Sequence, residues 1–159
     1  MILSGWREQY DRMRRSYERL TAIAAGRTAG SSDEARDALF HFFQDAYHLK
    51  DWIKNDPAVM TTDVEGLINN TDVLRLCADL CNGTKHFQLT RARTGDVSTA
   101  FTSQSVSVRP AAAGSGEPPR PALHKWSVSS YGKDYEALAL AADVVRAWQQ
   151  WLQQERLLP

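Results

Sequence analysis

Apolar side chains recur every three or four residues along four parts of the chain. In the first part the repeated positions are Trp6, Tyr10, Met13, Tyr17, Leu20 and Ala24. Side chains at this spacing share one face of an α-helix, because 3.6 residues complete a turn. We therefore predict four amphipathic helices, over about Ser4–Ala25, Ser32–Asn55, Thr71–Leu89 and Asp134–Arg156. A single helical turn is expected at Asp63–Ile68, between the second and third helices.

Polar residues and a proline indicate where these helices begin and end. Ser32 and Asp33 offer side-chain oxygens that cap the second helix, and Pro57 ends it. Asn70 or Thr71 caps the third helix in the same way. The last helix is expected to begin with Asp134 as its N-cap.

The sequence changes character between residues 97 and 131. Val97–Ser103, Val106–Val108 and His124–Tyr131 contain β-branched and aromatic residues that partly alternate with polar ones, which favours strands. Residues 110–122 are rich in proline, glycine and alanine, so we expect a mobile loop there. We predict a two-stranded antiparallel hairpin with this loop at its tip. Because an isolated hairpin is marginally stable, it must lie against the helices or a partner.

These elements predict a mainly α fold, an up-and-down four-helix bundle with a β-hairpin insertion before the last helix. A chain of 159 residues suits a single domain over 1–159. The last helix has an apolar arc, from Leu138 to Leu152, that is wider than one neighbouring helix would cover. An interface between two copies of the chain would bury the rest of this arc, so we expect a homodimer.

Charge and cysteine usage limit the class of protein. Lys and Arg together number 19 and Asp and Glu 19, so the net charge of zero gives no general attraction to nucleic acid or membrane. Cys77 and Cys81 lie one helical turn apart, a spacing that favours buried reduced thiols over a disulfide. Reduced thiols are typical of a reducing compartment. The N-terminus has no apolar run, and no segment is long enough to span a membrane. We therefore predict a cytoplasmic protein that does not bind membranes.

One face of the third helix combines four kinds of polar group. Arg75, Asp79, Asn82 and His86 fall on a single stripe, opposite the apolar stripe that the core requires. A solvated helix face explains this pattern, and so does a binding or catalytic site. Lys85 and Arg91 stand next to the stripe in sequence. Our candidate ligand-binding residues are these two, Arg75 and Asp79 of the stripe, and His41 of the second helix.

The second helix has a polar stripe of its own beside its apolar face. His41, Asp45, His48 and Trp52 are spaced by four, three and four residues. A carboxylate one turn from an imidazole fixes its tautomer and raises its pKa, as proton transfer requires. Metal binding by the two histidines and Asp45 is an alternative, but no HExxH pattern or Cys pair supports it, so we expect no metal and no cofactor. A solvated face again explains the same residues.

The order of the helices and the Asn82–His86 spacing resemble the HEPN superfamily (higher eukaryotes and prokaryotes nucleotide-binding). The run Asn82-Gly-Thr-Lys-His86, preceded by a helix with Asp-x-x-His, is similar to a bacterial HEPN-like group. The resemblance implies a dimeric helical bundle in which two Arg-polar-x-x-x-His motifs face each other and cleave RNA without metal. Asn82 matches the polar position and His86 the histidine, whereas Cys81 occupies the arginine position.

The missing arginine matters because RNA cleavage needs a proton-transfer group and a cation near the transition-state charge.

Three hypotheses for the function follow from these observations. The first is a metal-independent HEPN ribonuclease or toxin in which His86 transfers protons, Asn82 positions the phosphate, and Asp45 and His48 assist. The second is a catalytically degenerate HEPN-like module that binds RNA, a nucleotide or a cognate protein partner. The third is an unrelated helical scaffold that binds a partner through its hairpin.

Overall fold

The computed structural model describes residues 5–60, 63–86, 88–108, 113–114, 116 and 121–159. Within these residues it contains five helices and a three-stranded antiparallel sheet. The helices are α1 Trp6–Ala24, α2 Ser32–Asn55, α3 Val64–Asn70, α4 Asp72–His86 and α5 Ala137–Gln154. The strands are β1 Ala100–Ser107, β2 Leu123–Ser130 and β3 Lys133–Glu136.

The two longest helices, α1 and α2, pack against each other. The predicted bounds of α2 agree with the structure, but its N-cap is Ser31, one residue before the predicted caps. The Ser31 side chain accepts from the Glu34 amide, and the Glu34 carboxylate accepts from the Ser31 amide, which makes a capping box. The shared apolar face includes Met13, Leu20 and Leu39, all fully buried.

The connection between α2 and α4 is more helical than predicted. The expected single turn is the seven-residue helix α3, and the Asp63 side chain caps it by accepting from the Gly66 amide. Helix α4 begins at Asp72 and its described part ends at His86, three residues before the predicted end. Residue 87 lies outside the described residues.

The predicted two-stranded hairpin is wrong, because the sheet has a third strand in the order β1-β2-β3. Tyr131 and Gly132 both have positive φ, 52° and 68°, and join β2 to β3 in a tight turn. Asp134, the predicted helix cap, therefore lies within β3. Glu136 caps α5 instead, accepting hydrogen bonds from two amides of its first turn. Most of the loop expected at 110–122 lies outside the described residues.

A core cluster joins the sheet to the helices. Trp126 and Val128 of β2 and Trp148 of α5 are buried in it with residues of the other helices. The exposed large hydrophobic residues of the described chain lie outside α5, so the chain itself covers most of its broad apolar arc and leaves Leu138 and Val145 half-buried. The width of this arc therefore gives no argument for a subunit interface.

The prediction of a mainly α fold is confirmed, with a small sheet attached. The finer prediction of an up-and-down four-helix bundle stays a prediction. Across the described ranges, none of the helices combines the length and hydropathy needed to cross a bilayer.

Candidate functional site

The last two turns of α4 and the segment after it line a half-open cavity of about 440 Å³. Three residues predicted for the site, Asn82, His86 and Arg91, line this cavity together. Gln88 and Leu89 complete most of its wall, and the Gln88 amide donates to the carbonyl of His86 at 2.7 Å. We call this the α4-end cavity. It combines an imidazole, a guanidinium and a carboxamide within a small volume.

A larger cavity of about 860 Å³ lies on the other side of the same segment. Gln88 and Leu89 line both cavities, so the two cavities adjoin. Phe40 and Phe101 line the larger one, with ring centroids 5.3 Å apart, and exposed Lys85 is at its wall. We call it the aromatic cavity, because two phenyl rings and a cation border it.

Gly83 lines the aromatic cavity from within α4. A Cβ built at this position would have Leu89 Cγ, at 4.0 Å, as its nearest neighbour. A glycine inside a helix costs about 1 kcal/mol relative to alanine. Close packing therefore does not require this glycine.

Asp79 holds the segment that forms both cavities. Its carboxylate is fully buried and accepts from the Arg93 amide at 2.7 Å and from the Thr94 amide at 2.9 Å. The Thr94 hydroxyl donates a third hydrogen bond, at 2.6 Å. Although sequence spacing placed Asp79 among the ligand-binding candidates, its hydrogen bonds connect α4 to residues 93–94. It positions the chain that leads to Arg91.

The side chain of Arg93 anchors the same segment on the opposite side. It donates to Glu65 at 3.1 Å and to the Asn69 side chain at 2.8 Å, both on α3. Nζ of Lys50, on α2, lies 3.5 Å from Glu65. Burial of Glu65 favours its neutral form, but Lys50, Arg93 and Lys54 outweigh this effect and lower the pKa of Glu65.

Arg75, another ligand-binding candidate, belongs to the junction between α3 and α4. It donates to the backbone carbonyl of Asn69 at 3.1 Å and pairs with the carboxylate of Asp72. Neither the α4-end cavity nor the aromatic cavity includes it among its lining residues. Its contacts stabilise the end of α3.

The polar stripe of α2 faces away from the α4-end cavity. The Asp45 carboxylate accepts from the Ser16 hydroxyl, and Gln9 donates to the Asp45 carbonyl at 2.9 Å, so Asp45 lies against α1. His41 and His48 are exposed and line neither cavity. Residues between 82 and 91 line the cavity around His86, and none of the α2 stripe is among them. The contacts of the described residues therefore do not support the assistance of Asp45 and His48 in the first hypothesis.

The side chain of Gln44, on α2, also reaches the end of α4. Its amide donates to the Thr84 hydroxyl at 3.5 Å. In the parts of the chain that the structure describes, no three His, Cys, Asp or Glu side chains are grouped so that they could hold a metal ion.

Cys81, the residue before Asn82, is 3% exposed. Burial raises the pKa of its thiol to about 11, so the side chain is neutral near pH 7. The guanidinium that accompanies His86 in the cavity is that of Arg91. It follows His86 in the chain instead of preceding it.

Sequence reasoning missed Phe40, Phe101 and Gln88. Phe40 follows the core residue Leu39, and a lone aromatic residue at the edge of an apolar stripe usually belongs to the core. Phe101 lies in a strand that was predicted without a position relative to α2. Only the packing of β1 beside α2 and α4 brings the two rings together.

Comparisons of the chain with protein-family models, with curated proteins and with solved structures find no match.

Proposed function

We propose that the protein is a HEPN-like, catalytically degenerate module that binds a nucleotide unit, free or within single-stranded RNA, at the end of α4. The observation that supports this proposal is the shared location of Asn82, His86 and Arg91 in one cavity beside the aromatic cavity. The phosphate and the base of a nucleotide differ in the groups that bind them. The two adjoining cavities differ in the same way.

The α4-end cavity has the groups that bind a phosphate. Arg91 supplies a guanidinium, which forms paired hydrogen bonds with phosphate oxygens, and Asn82 supplies an amide donor. His86 is a donor to phosphate through a protonated ring nitrogen. Lys85 adds a second positive charge on the adjoining face.

The aromatic cavity has the size and the rings that a base requires. Its volume of about 860 Å³ lies within the range of small-molecule pockets. Stacking of a base on an aromatic side chain contributes about 1–3 kcal/mol, and Phe40 and Phe101 are half-buried at the cavity wall.

Cysteine at the motif arginine position favours binding over cleavage. A buried neutral thiol offers no charge to a phosphorane-like transition state, and loss of such a cation costs several kcal/mol of stabilisation. Asp45 and His48, assigned as assistants to His86, have their contacts with α1 or with solvent.

A metal-independent ribonuclease is the second candidate, and the position of Arg91 favours it. Arg91 lines the same cavity as His86 and is a cation of the type that the motif otherwise lacks. The test is incubation with single-stranded RNA followed by gel analysis. Cleavage by the wild-type protein that is lost in His86→Ala would establish this function, and no cleavage by the wild-type protein would reject it.

Fluorescence anisotropy with a labelled eight-nucleotide RNA tests the binding proposal. Arg91→Ala should weaken binding about tenfold, because one charge-assisted phosphate contact is lost. The slope of log affinity against log salt should fall by about 0.7. Arg14→Ala, an exposed arginine on α1, is the matched control and should bind like the wild type. Equal affinity of the Arg91→Ala variant and the wild type would contradict the proposal.

We also propose that the protein is a homodimer, and the HEPN-like resemblance alone supports this part of the proposal. Sedimentation velocity at micromolar concentration tests it, with the sequence mass of 17.9 kDa as the monomer value. A species of twice this mass is expected. A purely monomeric protein would remove the homodimer and leave the binding site of α4 unaffected.

A further inference from the structure

A third cavity, of about 480 Å³, lies on another side of the molecule. The C-terminal end of α1, the edge of β2 and the beginning of α5 surround it. β3 pairs with β2 only along Ser127–Ser130, so it leaves the β2 edge at Leu123–Lys125 uncovered. This β2-edge cavity shares no lining residue with the two cavities of α4.

His124 lines the β2-edge cavity and is 2% exposed. Its ring stacks on that of Trp126, with centroids 5.9 Å apart and planes 12° from parallel. The buried Nδ1 atom of His124 has no hydrogen-bond partner within the described residues. A buried polar atom without a partner is destabilising, and a ligand removes this penalty where the ring turns so that the atom meets it.

Two cationic side chains and one carboxylate line this cavity, so its charged groups are positive on balance. Arg27 and Lys125 line it, and neither is among the ion pairs of the described chain. Arg27 donates a long hydrogen bond of 3.5 Å to the Thr21 hydroxyl. Glu136 also lines the cavity, but its two carboxylate oxygens accept from backbone amides of α5, at 3.1 and 2.8 Å.

The carbonyl groups at the end of α1 are largely satisfied. The Arg27 amide donates to the carbonyl of Ala22 at 2.8 Å, and the Gly26 amide donates to that of Ile23 at 3.0 Å. Gly26 has a φ of 65°, as is usual for a glycine that ends a helix. These amide donors offset part of the negative potential at the C-terminal end of α1, so this end repels a bound anion less strongly.

Apolar side chains form the rest of the wall, with Ala24, Leu123 and Leu138 among them. We infer that the β2-edge cavity binds a small organic anion, with a carboxylate directed to His124, Arg27 and Lys125 and an apolar body against these three side chains. An inorganic anion leaves the apolar wall unused, and a neutral organic molecule leaves the two cations unpaired.

An NMR titration of the full-length protein with benzoate tests this inference. Backbone amide shifts should change around Leu123–Lys125 and at the end of α1, and benzamide, the neutral analogue, should bind about tenfold more weakly. Inorganic phosphate should also bind more weakly than benzoate. Equal binding of benzoate and benzamide would overturn the ionic part, and equal binding of phosphate and benzoate would overturn the apolar part.

Variants separate the site from general anion binding. Lys125→Ala should weaken benzoate binding about tenfold, whereas Lys133→Ala, an exposed lysine on β3, should leave it unchanged. His124→Asn should also weaken it. His124 is buried, so the His124→Asn variant can fail to fold. In that case the Lys125→Ala variant alone tests the inference. Shift changes confined to residues 82–91 would assign benzoate to the α4-end cavity and overturn the inference.

Discussion

The stability of an Asp79 variant tests how the segment around the candidate site is held in place. The perturbation is Asp79→Asn, which keeps the size of the side chain and removes its charge. The carboxylate receives three hydrogen bonds, of 2.7, 2.9 and 2.6 Å, in a fully buried position. An asparagine keeps one acceptor oxygen, and its amide group then faces a backbone or hydroxyl donor.

The expected loss of stability follows from these contacts. A hydrogen bond to a charged group contributes about 1.5–3 kcal/mol, and losses within one cluster are not additive. We therefore expect Asp79→Asn to lower the free energy of unfolding by about 2–3 kcal/mol. This is a large share of the roughly 5–15 kcal/mol that stabilises a typical domain.

Two assays measure the effect. Urea unfolding gives the change in free energy, and hydrogen exchange reports the protection of the Arg93 and Thr94 amides, which should fall most. Asp143→Asn is the matched control, because Asp143 makes a surface pair with Arg146 and should change stability by less than about 0.5 kcal/mol. Wild-type stability and unchanged protection in Asp79→Asn would refute the proposed role of Asp79.

Two further predictions concern the same part of the molecule. The pKa of Glu65 lies below its ordinary value of 4.5, because Lys50 and Arg93 favour the charged carboxylate. These ion pairs therefore stabilise the fold above pH 4.5, and their contribution is lost as the pH falls through the lowered pKa. Urea unfolding from about pH 6 to 3 should show a smaller loss for Glu65→Gln than for the wild type, and identical losses would contradict this. Gly83→Ala should raise stability by up to about 1 kcal/mol in the same assay, since its Cβ has free space. Its control Gly66→Ala should destabilise the protein, because a Cβ at Gly66 overlaps the Asp63 carboxylate and displaces it from its capping hydrogen bond to the Gly66 amide; a destabilised Gly83→Ala would contradict the free space at that position.

The helices followed from sequence because their determinants are local. The apolar period of α1 and the proline after α2 act within a few residues, so both helices were placed closely. β3 was missed because Lys133–Glu136 is polar and has no strand pattern of its own. Its conformation comes from pairing with β2 after the turn at Tyr131, a contact between elements that periodicity does not report.

The site was predicted in part for the same reason. Asn82 and His86 share a helix face, which spacing shows directly. Arg91 was selected only as a nearby cation, and the structure brings it to the same cavity because the chain returns along α4 after His86. Asp79 lies on the same stripe, yet it is buried by residues 93–94, and no pattern within α4 distinguishes a covered carboxylate from an exposed one.

The most direct test of the proposed site is the location of RNA binding on the molecule. A backbone amide NMR titration with the eight-nucleotide RNA should give its largest shift changes at Asn82–His86 and Gln88–Arg91, and at Phe101 of the aromatic cavity. Largest changes on the exposed face of α2 at His41 and His48, or no changes at millimolar RNA, would contradict the account.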